Sequence, residues 1–416
     1  MQWLTALFII AVLAETATRW WLATRQVAAV QAHRDRVPEL FRDQLALADQ
    51  QKAADYTTAR ARLGRLQTVV EAALAIGLTV GGGIAAIDAL WRHTGWNQPW
   101  IGAAVVLSVL LLTMLIGLPF SIWRTFKLET RFGFNRTSPG LFLADLAKSL
   151  LLGLLLGAPL LMAALILMER AGRWWWLMAW AGWLCFTLLL TWAWPRLIAP
   201  LFNRFTPLAD ETLKARVSAL LARCGFSSKG VFVMDGSRRS THGNAYFTGV
   251  GRNKRVVFLD TLIEKLGATE IEAVLAHELG HFRLHHVRQR LIVSLATSFI
   301  GLALLAWLAA QPGFYTALGV PTPSPHAALL LFILLVPPLT YFLTPLGAWW
   351  SRRHEFEADD FAVRHAESSA LATALVKLYR DNASTLTPDR LNSAFYDSHP
   401  PALVRIARLK TAKSHG

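Results

Sequence analysis

Residues 100–123 read WIGAAVVLSVLLLTMLIGLPFSIW, a run without one charged side chain. Coiled as an α-helix at about 1.5 Å per residue, this stretch is about 36 Å long, more than the ~30 Å of hydrocarbon in a bilayer. A helix satisfies its own backbone amides, which lipid cannot do, so a run of this length and polarity reads as a membrane-crossing helix. Outward from it, further apolar blocks stand at about 1–18, 66–91, 140–168, 174–198, 290–311 and 327–350, giving seven in all. The first has no basic stretch before it and no small-residue cleavage site after it, and is read as a retained span rather than a signal peptide.

The composition agrees. Of 416 residues, 54% are hydrophobic and 17% charged, with 17 Trp, which does not fit a soluble globular chain. A formal net charge of +15 would suggest a nucleic-acid partner if the cations formed a patch. They lie instead in the loops: nine Lys/Arg residues fall between Arg19 and Arg65 and five between Arg124 and Lys148. Arg92 stands alone in the next loop type, Arg170 and Arg173 separate blocks four and five, and QPGFYTALGVPTPSPH between six and seven has none. Rich and poor loops alternate, as the positive-inside rule requires of seven crossings, so no nucleic-acid partner is expected. The alternation places the N-terminus outside the cytoplasm and residues 201–289 and 351–416 within it. Cys185 and Cys224 match no metal or redox spacing. No sequence signal addresses oligomeric state.

Four regions follow: spans one to five over 1–200, a cytoplasmic segment at 201–289, spans six and seven over 290–350, and a helical cytoplasmic segment at 351–416. Within 201–289 the strand-like runs VFVMD (231–235) and RVVFLD (255–260) precede a helical stretch from about Glu270, so this insert is α+β. The fold class is therefore mainly α, a seven-helix membrane protein with a small α+β insert.

His277-Glu278-Leu279-Gly280-His281 fits HExxH. Thr269 with Glu272 reads as a capping box, and Ile271, Val274 and Leu275 form an apolar stripe, so the motif is placed on a helix. At i and i+4 two imidazoles leave one face and can share a zinc ion, with the intervening Glu able to act as a base. The motif also fits an amphipathic helix end whose histidines cap carbonyls or face headgroups, and His285 and His286 show that the region carries such residues. A catalytic zinc takes three protein ligands. Glu355, in Glu355-Phe356-Glu357-Ala358-Asp359 just after span seven, is the best candidate for the third, and Asp359 at i+4 could orient a ligand imidazole. Glu357 and Asp360 are rivals, and all of these acids could instead pair with Arg352 and Arg353 on a solvated helix. Two crossings separate residue 281 from residue 355, which returns both to one side of the membrane. Glu71, Asp88, Asp145 and Lys148 lie within or beside apolar blocks and should face protein or water.

With these residues in view, the chain resembles the type I CAAX prenyl protease family of integral-membrane zinc metalloproteases. The resemblance runs through PFSIWRTFKLETRFGFN (119–135), IAPLFNRFTPL (198–208), MDGSRRSTHGNAYFTG (234–249), HELGH, SRRHEFEAD (351–359) and SHPP (398–401). It implies seven helices around a water-filled intramembrane chamber, with the zinc site at its cytoplasmic end. It implies one Zn2+ per chain on His277, His281 and Glu355, with Glu278 as general base and acid and Asp359 supporting a ligand histidine. His399 is the expected transition-state partner, and Asn244, Ala245, Tyr246 and Phe247 the edge that receives substrate backbone. The expected partners are membrane lipids and a lipidated or other membrane-proximal peptide, in a bacterial inner membrane or the endoplasmic reticulum. A broad quality-control membrane zinc protease is the alternative within proteolysis, and a zinc-containing scaffold or transporter the alternative outside it.

Overall fold

In a computed structural model, residues 2–226, 230–248 and 255–411 are described. Six helices in this set are long and apolar enough to cross a membrane. They are α1 (Gln2–Ala32), α4 (Gln98–Glu129), α5 (Pro139–Arg170), α6 (Gly172–Phe202), α9 (His286–Ala309) and α10 (Pro325–His365). A seventh span is the pair α2 (Leu47–Leu78) and α3 (Gly83–Arg92), bent by 52°. The apolar block at 66–91 is thus a broken span rather than one continuous helix. Its sequence explains the break: Thr79-Val80-Gly81-Gly82-Gly83 ends with Gly82 at φ 78°, a left-handed conformation that glycine adopts without penalty.

The spans touch in a closed ring, α1–α2–α4–α5–α6–α9–α10 and back to α1. One end of the ring is plugged by an apolar core that includes Phe8, Val12, Ile84, Val105, Leu305 and Leu331. The opposite end is roofed by a polar lobe with its own core, containing Val217, Phe258, Leu275 and Leu371. Between them the ring is not filled: none of the most apolar 18-residue window of α6 is buried, and only 6% of that of α5. A helix in a solid bundle buries one face against its neighbours. Helices open on both sides wall a hollow, which agrees with the chamber implied by the resemblance. Widened π-helical turns interrupt the walls at Arg124–Glu129, Gly153–Gly157 and Trp194–Ile198. Pro195 sits in the last, where its missing amide hydrogen removes a regular helical bond.

The lobe comprises α7 (Glu211–Arg223), a four-stranded sheet, α8 (Ala268–Arg283), the end of α10, α11 (Ser368–Asp381), α12 (Arg390–Tyr396) and α13 (Ala402–Thr411). Its strands are β1 (Phe205–Pro207), β2 (Val231–Met234), β3 (Ala245–Thr248) and β4 (Arg255–Leu259), in the order β1-β2-β4-β3. The β2–β4 pair is parallel and the other two are antiparallel. Arg239 fastens the lobe to the ring. It donates to both oxygens of Asp145 on α5, at 2.8 and 3.0 Å, and to Phe202 O and Asn203 Oδ1 at the end of α6. Charged residues near the spans are accommodated in the same way. Asp88 is buried against Arg92 and His326, Lys148 donates to Leu201 O, and Glu71 accepts from Gln67 one turn away.

Candidate metal centre

The apolar stripe at Ile271, Val274, Leu275 and Leu279 is buried and seats α8 in the lobe. Its start differs from the expected capping box. The helix begins at Ala268, and Glu270 rather than Glu272 reaches back, accepting from the Gly267 amide at 2.8 Å. Glu272 is occupied on the other side, by Arg216 and Arg223. The cap lies at Gly267 rather than Thr269, and Gly267 offers no capping side chain to see in sequence, although its amide still needs an acceptor.

Gly280 lets α8 lie against α10. A Cβ there would come within 3.0 Å of the Ala358 Cα and 3.1 Å of the Phe361 Cβ. At this approach the two helices bring His277, His281 and Glu355 together, with their donor atoms all within 4.8 Å of one another. The His277 and His281 Nε2 atoms are 3.2 Å apart, and they lie 3.4 and 3.3 Å from the Glu355 carboxylate oxygens. Glu355 Oε2 is buried and accepts no hydrogen bond. Two ring nitrogens and an orphaned carboxylate oxygen turned into one small space are a donor set that suits zinc, which takes nitrogen and oxygen ligands. The rivals point elsewhere: Glu357 pairs with His286 and Arg353, and Asp360 with Arg408.

Asp359, one turn beyond Glu355, lies 2.9 Å from His277 Nδ1. It is itself gripped by Arg405, whose Nε and Nη2 donate to its two oxygens at 2.8 and 2.7 Å. Arg405 was not anticipated from the sequence, yet a signal exists. It sits on α13 in the buried stripe Ala402, Arg405, Ile406 and Leu409, and a lone cation on an apolar helix face needs an anionic partner. His281 is backed similarly, its Nδ1 lying 3.0 Å from His286 Nδ1, while His286 Nε2 lies 3.0 Å from Glu357 Oε2. His286, which in sequence shows only that the region carries histidine, thus supports a ligand imidazole.

Electrostatics distinguish the groups. Burial and the charge of Arg405 oppose a proton on His277, but the adjacent carboxylates of Asp359 and Glu355 outweigh them and lift its pKa to about 9. Burial raises the Glu278 carboxyl above the usual carboxylate range, while His277 and His281 pull it down. His399 approaches from the SHPP turn, its Nε2 3.5 Å from Glu355 Oε2, with a side chain 63% exposed and thus open to a ligand.

β3 is an edge strand: among the described residues it pairs only with β4, and it lies against α8. The Leu259 amide donates to Asn244 O, so 244, 246 and 248 face β4, and the backbone groups of Ala245 and Phe247 point to the open edge. Asn244 Oδ1 accepts from the Ala245 amide at 2.9 Å, covering the first edge donor. The Tyr246 hydroxyl contacts Met234 Sδ across the sheet. The Phe247 side chain, and Gly249 of the quoted motif, lie outside the described residues.

Comparisons with known proteins agree along the whole chain. Residues 26–204 match the family model described as CAAX prenyl protease N-terminal, five membrane helices, and residues 207–413 match peptidase family M48. A CAAX prenyl protease 1 homolog of Arabidopsis thaliana is 36% identical, covering 76% of this chain and 77% of its own. The human homolog is 33% identical, covering 79% and 80%. The crystal structure of S. mikatae Ste24p superposes with a TM-score of 0.90 at 28% identity, covering 98% of this chain and 99% of that one. The chain belongs to peptidase family M48, in its CAAX prenyl protease branch, and is a multi-pass membrane metalloendopeptidase.

Proposed function

We propose that the chain hydrolyses peptide bonds near the C-terminus of prenylated CAAX proteins, with one zinc ion held by His277, His281 and Glu355. The observation that carries this reading is the convergence of two imidazole nitrogens and a buried carboxylate oxygen that accepts no hydrogen bond, beneath a hollow ring of membrane helices. Bound there, zinc supplies a Lewis acid that polarises a carbonyl and makes water acidic enough to attack near neutral pH.

The chain's own residues do the rest. Glu278 accepts the proton of the attacking water on its carboxylate and passes it to the leaving amine, and its upward-shifted pKa suits both halves of that task. His399, exposed and beside Glu355, donates to the carbonyl oxygen as negative charge builds on it. Asp359 and Arg405 hold the His277 ring so that its Nε2 faces the site. An extended peptide adds to the open edge of β3, where the outward backbone groups of Ala245 and Phe247 can pair with it; Asn244 must release the Ala245 amide or take part in its place. This binding mode reads backbone, so the lipid supplies selectivity, lodged toward the apolar ring. The alternation of basic and bare loops supports a cytoplasmic lobe, in a bacterial inner membrane or the endoplasmic reticulum.

The test is cleavage of a farnesylated CAAX peptide and its non-prenylated twin by purified protein. Zinc content, a chelator control and Glu278→Ala accompany it. Cleavage that is abolished by chelator, and lost in Glu278→Ala with about one zinc still bound, supports the assignment. Zinc-replete wild type inert on both peptides overturns it.

A further inference from the structure

His399 is held differently from the other histidines of the site. His277 and His281 rise from α8 and are backed by Asp359 and His286. His399 stands in the turn between α12 and α13, with its side chain 63% exposed. The backbone of that turn is fixed on both sides. Arg352 donates from Nη1 to Ser393 O at 3.1 Å and to Asp397 O at 2.8 Å, which pins the chain as it leaves α12. Beyond His399 come Pro400 and Pro401; the first disfavours a helical conformation for His399, and their fixed φ leads into α13 at Ala402. The Cα of His399 is thus placed, while its ring can still turn about the side-chain torsions. An exposed imidazole that must meet one oxygen from one direction needs a further hold.

The two ring nitrogens have different surroundings. Nε2 lies 3.5 Å from Glu355 Oε2, near enough to face the metal centre, yet that oxygen accepts no hydrogen bond. A hydrogen on Nε2 is therefore free for a substrate oxygen. Nδ1 lies 3.0 Å from Ser398 Oγ, and among the described residues the Ser398 hydroxyl has no other hydrogen-bond partner. In a neutral imidazole one nitrogen carries the hydrogen and the other a lone pair. With the hydrogen on Nε2, as the reaction needs, Nδ1 holds the lone pair and the hydroxyl donates to it. When the ring takes up a second proton, the same hydroxyl rotates and accepts from Nδ1. An ionised carboxylate only accepts and could serve the second form alone; a hydroxyl serves both without moving the ring.

We infer that Ser398 is a positioning residue for catalysis: its hydroxyl, bonded to Nδ1, holds the His399 ring with the Nε2 hydrogen turned toward the carbonyl oxygen that gains charge. The inference rests on the peptidase reading above and on the place of His399 within it. Because His399 acts as charge builds, and the peptide is held along the β3 edge, loss of the Ser398 hydroxyl should appear in kcat rather than in KM.

The test measures kcat and KM on a farnesylated CAAX peptide for wild type, Ser398→Ala, Ser398→Thr and Ser398→Val. Thr and Val share one shape and differ in the hydroxyl, so their comparison separates the hydrogen bond from packing. Ser398→Ala and Ser398→Val should lose about tenfold in kcat, short of the ~10²–10³ that removal of an oxyanion donor costs, with KM little changed. Ser398→Thr should stay close to wild type. In a His399→Ala background, Ser398→Ala should take nothing further from the residual rate, since it acts through the ring. Ser398 is exposed, so these substitutions disturb no core, and zinc content and thermal melting in detergent verify it. Ser398→Val as fast as Ser398→Thr overturns the inference and leaves the peptidase reading standing. An equal loss from Ser398→Ala with and without His399 also overturns it. Zinc-replete wild type inert on the peptide removes the peptidase reading and this inference with it.

Discussion

Arg405 is 4% exposed and its partner Asp359 2%, so each depends on the other for charge balance. Removing one member of such a pair leaves the other buried and uncompensated, at about 3–5 kcal/mol. Arg405→Leu should therefore lower the melting temperature markedly. It should also weaken zinc about 10- to 100-fold, because Asp359 would no longer be fixed against His277; chelator competition reads this directly. His277 adds a pH dependence. Its pKa in the metal-free chain, about 9, lies above the ordinary 6.5, so the proton it binds stabilises the metal-free fold fully below pH ~6.5. That contribution is lost as pH rises to 9. A zinc ion must displace the same proton, so apparent zinc affinity should climb from pH 6.5 to 9 and then level off. Titration of metal-free protein with zinc across that range measures it, and a flat profile would contradict the assignment of His277.

At the scale of elements, the site depends on how closely two helices approach. Gly280→Ala places a methyl group against Ala358 and Phe361 at 3.0–3.1 Å, distances that force α8 and α10 apart. Overpacking of this kind costs about 1–3 kcal/mol. The displacement also separates His281 from Glu355, so the variant should lose zinc affinity out of proportion to its loss of stability. A loss of stability alone would mean that the helices adapt by sliding along each other without opening. The glycine of HELGH is thus explained by packing against a backbone, since its own helical conformation makes no demand for glycine.

Across the whole molecule, a packed lobe and a packed plug are held at opposite ends of a ring whose walls are open. Such an arrangement gains little from core burial at its middle, so point attachments between lobe and ring carry more weight. Arg239, with four bonds to α5 and the end of α6, is the clearest of them. Arg239→Gln should destabilise by ~1–3 kcal/mol and lower the melting temperature in detergent. Asp145→Asn should do less, because Arg239 keeps its bonds to Phe202 and Asn203. Equal effects from the two substitutions would show that the Asp145 pair alone holds the lobe.

Long uncharged runs and their alternating basic loops announce crossings, because hydrocarbon admits only helices that satisfy their own backbone. In the same way the sequence determined the seven apolar blocks, the two core strands Val231–Met234 and Arg255–Leu259, and the helix that carries His277 and His281 on one face. These are local properties, written in composition and in periods of two and 3.6 residues. Tertiary structure decided the rest. Glu355, Glu357 and Asp360 stand within six residues and look alike in sequence; the approach of α10 to α8 at Gly280 turns Glu355 toward the imidazoles of His277 and His281, and leaves the other two to pair with Arg353 and Arg408. The grip of Arg405 on Asp359 joins residues 46 apart, the closure of the ring joins α10 to α1, and the hollow depends on which faces stay unpaired. A lone cation on the apolar face of α13 shows locally that Arg405 needs an anion, but which anion, like the ring and the hollow, is a matter of distance between segments that only the folded chain brings together.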